Sequence, residues 1–125
     1  MQKSEELAER QALVRDVLER IADKWTLLVL EALEDEASTR FSRLQERVGG
    51  VSQKMLTKTL RQLERDGLVI RRVHATVPPR VEYRLTKLGE SLHASVCGIW
   101  IWAGKNMRKV ARARNAYDRR KGRAE

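Results

Sequence analysis

A mainly helical α+β fold is predicted for this chain of 125 residues by three observations. Apolar side chains recur at helical spacing in five segments. Two β-branched runs, LVIRRV and RVEYRLT, are separated by a short connection holding Pro78 and Pro79. A tight Gly-Gly-Val link joins the third helical segment to the fourth. The length supports one modest core that buries roughly two thirds of the unfolded surface, so a single domain is expected.

The first helix is expected over residues 4–21, where Leu7, Val14, Val17, Leu18 and Ile21 keep helical spacing and Ser4 is available as a cap. Asp23 can cap a second helix through WTLLVLEALEDE. That run is denser in apolar residues than a surface helix needs, which places it, with Trp25, in the core. Thr39 is read as the cap of a third, RFSRLQERV, striped by Phe41, Leu44 and Val48 and stopped by Gly49 and Gly50. Ser52 is positioned to cap a fourth that ends at Asp66 and Gly67. The β-branched runs then form a hairpin, since prolines cannot donate ladder hydrogen bonds and belong in its connection. Thr86 caps the last helix, with Leu88, Leu92, Val96, Ile99 and Ala103 on one stripe and Trp100 and Trp102 beside it. The two tryptophans suit packing against another helix better than lining an effector pocket, although a small-molecule effector stays open. Helical spacing continues through Met107, Val110 and Ala111, but YDRRKGRAE has too few apolar residues to pack. Residues 1–109 are therefore assigned to one domain with its terminal helices, and 110–125 to a basic, mobile tail.

The net charge of +9 is uneven: residues 104–125 hold 9 basic and 2 acidic side chains, residues 1–103 hold 17 and 15. Any polyanion-binding reading of the body must therefore rest on local placement of charge. The single Cys97 excludes an intrachain disulfide and fits a reducing cytoplasm. No apolar run approaches the roughly 18 residues of a membrane span. His74 and His93 lack ligand-like neighbours in sequence and are expected at surface or boundary positions, without a metal. No Ser-His-Asp, Cys-His or phosphate-loop pattern is present, so neither an enzyme nor a cofactor is expected.

The stretch VSQKMLTKTLRQLERDGLV carries two opposed stripes. With Leu56 at zero on a wheel of about 100° per residue, Leu60 falls near 40° and Leu63 near −20°. Lys54, Thr57, Lys58, Arg61 and Arg65 fall between about 100° and 200°, with no acidic residue among them. A cationic face of this width can enter the major groove, where Lys and Arg bond guanine acceptors and Thr offers a methyl and a hydroxyl. Helix, tight turn, basic helix and hairpin follow the order of a winged helix-turn-helix, a three-helix DNA-binding core with a β-hairpin wing. The first and last helices carry apolar stripes beyond what such a core covers, and are expected to pair across a two-fold axis.

DKWTLLVLEAL, RFSRLQERVGGVSQKMLTKTLRQLERDGLV and the wing VPPRVEYRLTKLGESL, in this order and spacing over residues 12–103, resemble the HxlR-type winged helix-turn-helix transcription regulators. The resemblance implies a homodimer on operator DNA without enzymatic activity. Carried over by position, it assigns 52–66 as the recognition helix. Ser52, Gln53, Lys54, Thr57 and Lys58 face the groove, and Arg61 lies nearer the phosphates. Arg80 falls on the wing, at 73–84, suited to a phosphate or the minor groove, and Arg40 is a further phosphate candidate. The dimer contact is expected at Leu7 and Val14 of the first helix and Leu92, Val96, Ile99 and Trp100 of the last. Many members carry a cysteine about thirteen residues before the tryptophan of the KWT motif. That place is Ala12 here, which puts redox sensing in doubt. The function expected is a cytoplasmic, DNA-binding repressor on a palindromic operator. The rivals are a basic RNA-associated protein and a protein-interaction module on the same fold.

Overall fold

A computed structural model describes residues 2–35 and 37–124. The elements are α1 (Gln2–Ile21), α2 (Lys24–Glu34), β1 (Thr39–Arg40), α3 (Phe41–Val48), α4 (Gln53–Arg65), β2 (Val69–His74), β3 (Arg80–Leu85) and α5 (Lys87–Ala124). The three strands form an antiparallel sheet in the order β1-β3-β2. The fold is mainly helical with a small sheet, and it follows the expected order of a winged helix.

Local chemistry sets most of the boundaries. Asp23 accepts a hydrogen bond from Trp25 N at 2.8 Å and starts α2. Ser52 Oγ does the same for Met55 N at 3.0 Å and starts α4. The end of α4 is a Schellman turn: Leu68 N bonds Leu63 O and Gly67 N bonds Glu64 O. Gly67 takes φ 75°, a conformation that a side chain would strain. Thr86 caps α5 by accepting from Gly89 N at 3.0 Å, and its own hydroxyl donates to Gly67 O at 2.7 Å. One threonine thereby ties the start of α5 to the end of α4.

The core follows from the densest apolar segment. Val29, Leu30 and Leu33 of α2 meet Leu44 of α3 and Leu56, Leu60 and Leu63 of α4, and the sheet side is closed by Leu68, Val69, Tyr83 and Leu85. Each leucine so buried contributes about 1.5 to 3 kcal/mol relative to exposure. Trp25 is only partly buried against this cluster, with Lys24 Nζ 4.7 Å from its ring centroid. None of the residues of α1 is buried. That helix is joined to α4 by the Arg20 Nε to Asp66 Oδ2 ion pair at 3.0 Å.

Four expectations are corrected. Ser4 lies inside α1, which already begins at Gln2. Thr39 does not cap α3 but belongs to β1, opposite Tyr83; Arg40 holds the cap position and makes no side-chain cap bond. A two-residue strand has no periodicity to read. His93 is buried, with Nε2 2.8 Å from Glu31 Oε2 and Nδ1 3.5 Å from Glu34 Oε2. Two carboxylates one turn apart on α2 supply the partners that buried imidazole needs. Residues 110–124, expected as a mobile tail, continue α5 as helix. Their Ala and Arg content favours helix, and glycine enters only at Gly122. The chain divides into two compact units, Met1–His93 and Ala94–Glu125.

Candidate nucleic-acid interface

α3 and α4 are held by a short turn whose geometry is built from four residues. Gly49 and Gly50 both take φ 70°, Val51 is buried, and Gln45 Nε2 donates to Val51 O at 3.1 Å. This fixes where α4 starts. Leu56, Thr59, Leu60 and Leu63 are its buried side. Thr59 faces inward because its hydroxyl donates to Met55 O at 3.0 Å, which satisfies a polar group that would otherwise be costly there.

The opposite side is the one the wheel marked out. Ser52, Gln53, Lys54, Lys58, Arg61 and Arg65 are exposed. Thr57 is half-buried, and its hydroxyl hydrogen is committed to Gln53 O at 2.8 Å, so the methyl and the oxygen lone pairs are what it can offer a base. Thr57 and Arg61 share a cavity of about 230 Å³ with Glu64, Arg71 and Tyr83. Arg71 was not singled out from sequence, because nothing in VIRRVH distinguishes it from Arg72. Only the cross-strand pairing with Tyr83 places it beside α4.

The wing is the β2–β3 hairpin with a turn at 75–79. Val77 is fully exposed, and Thr76 Oγ1 donates to Pro78 O at 2.8 Å. Arg40 and Arg80, expected separately to meet phosphate, line the same open groove of about 560 Å³, together with Phe41, Ser42 and the wing turn. Arg80 is not a free wing charge: its Nε lies 3.1 Å from Glu82 Oε1, although the N–H is not aimed well enough for a hydrogen bond. Glu82 also accepts from Ser38 Oγ at 2.8 Å and sits 3.2 Å from His74 Nε2. The Ser38 hydrogen bond, more than the neighbouring His74 and Arg80, holds the Glu82 carboxyl below the usual carboxylate range against a smaller opposing effect of desolvation. Sequence reasoning missed Glu82, since its partner Ser38 is 44 positions away.

The residues expected at a subunit contact divide by exposure. Leu7 (54%), Val14 (49%), Ile99 (55%) and Trp100 (42%) are open, whereas Val96 is 2% exposed and Leu92 packs partly buried against the core, leaving little of either for a partner. Cys97 is half-buried. Among the described residues no group of His, Cys, Asp and Glu could hold a metal ion, and no helix is long and apolar enough to cross a membrane.

A family model for the HxlR-like helix-turn-helix matches residues 20–111, which is more than half of the chain. The chain belongs to the HxlR-like helix-turn-helix family. Among its relatives, the uncharacterized HTH-type transcriptional regulator YtfH of Escherichia coli (strain K12) is 42% identical over 101 residues, covering 81% of this chain and 79% of that protein. The solved structure of the transcriptional regulator ytfH from Salmonella typhimurium superposes with a TM-score of 0.75 at 41% identity, covering 82% of this chain and 90% of the other. A MarR-family transcriptional regulator from Enterococcus faecalis V583 gives a TM-score of 0.67 at 34% identity, over 82% and 92%. As an HxlR-like protein the chain is a DNA-binding transcription regulator and not an enzyme.

Proposed function

We propose that this HxlR-like protein is a cytoplasmic homodimeric repressor that occupies a roughly palindromic operator, with α4 in the major groove and the β2–β3 wing against the backbone. The observation that carries the reading is the split of α4: Leu56, Leu60 and Leu63 are buried, while Gln53, Lys54, Lys58 and Arg61 stand exposed behind a turn that fixes the helix start. Lys54 and Lys58 are suited to guanine O6 and N7, Gln53 to adenine, and Thr57 to a thymine methyl. Ser52, at the helix start, and Arg61 are suited to phosphate contacts. Arg40 and Arg80 line one groove and can together clamp the backbone.

The homodimer is supported by exposed apolar side chains on α1 and, separately, on α5. Leu7, Val14 and Leu18 share a face of α1, and Ile99, Trp100 and Trp102 stand open on α5. A two-fold pair presents one recognition helix per subunit, which suits half-sites about one DNA turn apart. The test is selection of a bound sequence from a random pool, followed by footprinting. A protected pair of inverted half-sites is expected, and a selected single half-site bound by one chain would defeat the palindrome.

A further inference from the structure

The helical continuation of α5 gives the basic end of the chain a definite arrangement. On a wheel of about 100° per residue with Lys105 at zero, Lys109, Arg112, Arg119, Arg120, Arg108 and Arg123 all fall within about 60° on either side. No acidic residue lies in that sector, and Asp118 lies near −140°. The side chains of all seven cations are exposed. At 1.5 Å per residue the stripe runs about 27 Å along the helix. Arg112, Arg119, Arg120 and Arg123 lie beyond residue 111, where the family match ends.

From this geometry we infer that the α5 stripe is a second DNA-binding surface, one that grips the phosphate backbone of duplex DNA without reading sequence. A rigid row of cations about 27 Å long suits a rigid polyanion that carries one phosphate per 3.4 Å of each strand. Five of the seven are arginine, whose planar fork pairs bidentately with phosphate. A lipid surface is the poorer fit. The face opposite the stripe carries Arg114, Asp118 and Lys121 among Met107, Val110 and Tyr117, so it offers no continuous apolar face to insert. The choice of duplex DNA over other polyanions rests on the DNA-binding reading above, but the surface itself involves neither α4 nor the wing.

The experiment compares two double substitutions of equal charge in the full chain: Arg112→Gln with Arg119→Gln on the stripe, and Arg114→Gln with Lys121→Gln opposite it. Glutamine forms helix nearly as well as arginine, and far-UV circular dichroism checks that α5 persists. Binding to a random-sequence duplex is read by fluorescence anisotropy between 50 and 200 mM salt. Loss of two phosphate contacts is expected to lower the log-log salt slope by about 1.8 for the stripe pair, with less than half that change for the opposite pair. Equal changes for both pairs, or none for either, overturn the stripe. Tighter binding to single-stranded RNA or to vesicles with anionic lipid than to the duplex overturns the choice of DNA. Lys54→Ala with Lys58→Ala serves as the separate check on α4. If it leaves operator preference intact while the stripe pair still flattens the slope, base reading by α4 fails and the stripe stands.

Discussion

At Glu82 one carboxylate meets Ser38, His74 and Arg80, and so joins the residue before β1 to the end of β2 and the start of β3. Because its folded pKa is lowered, the stabilisation it supplies is present above the ordinary carboxylate pKa and is lost as pH falls through the lowered value. The base of the wing should therefore hold at neutral pH and loosen only once the pH falls below the ordinary carboxylate range. Amide exchange of β2 and β3 followed against pH checks this, and a Glu82→Gln variant with an unchanged acid profile would assign the loosening elsewhere. Gly89 makes a second residue-scale case. A Cβ placed there would stand 2.1 Å from Leu68 O, a backbone atom that cannot swing aside. Gly89→Ala should cost about 1 to 3 kcal/mol or more, read as a lower urea midpoint. An unchanged midpoint would mean that α5 shifts freely at its start. Of these residue-level devices, the caps at Asp23, Ser52 and Thr86 were legible because each acts within three positions of itself. Glu82 and Gln45 were not, since the groups they meet are set by the folded turn and sheet.

Among the elements, α4 was read almost residue by residue, because a buried stripe and an exposed stripe on one helix leave a period in the sequence. Strand β1 was invisible for the opposite reason, being two residues paired to β3 only after folding. Helix α5 extends past the point where its apolar spacing ends, because lack of packing is not lack of helix. An exposed helix rich in Ala and Arg needs little burial to persist when it extends one already nucleated. The element-scale prediction follows from the split of α4. Lys54→Ala or Lys58→Ala should cost about 1 to 3 kcal/mol on the preferred operator and far less on random duplex. Arg80→Ala should weaken both about equally if, as proposed, the wing arginine beside Glu82 contacts the backbone and not base edges. Competition binding with operator and random duplex separates the two behaviours. An equal loss on both DNAs for the lysine variants would remove base reading from α4.

For the whole molecule, the order of elements was legible, whereas a subunit contact would leave only exposed apolar residues as its mark in a single chain. Helix α1 shows this best. It is 20 residues long and none of its residues is buried, yet Leu7, Val14 and Leu18 lie within about 20° of one line along it. Most helices in proteins owe their stability to packing of an apolar face more than to intrinsic propensity. The Arg20–Asp66 ion pair reaches only its last turn. A partly exposed ion pair of this kind contributes about 0 to 1 kcal/mol, too little to order five turns. In the proposed homodimer a second copy would cover this line, and the protein should then sediment at twice its 14.5 kDa chain mass at micromolar concentration. Val14→Asp, which buries a charge if α1 pairs and costs little if α1 is simply solvated, should shift the mass toward the monomer. Operator affinity should then fall more than random-duplex affinity, since a monomer keeps its phosphate contacts but engages one half-site. A monomeric wild-type protein with full operator affinity would leave α1 without a role in assembly, as would a Val14→Asp variant that remains dimeric and unchanged in helix content.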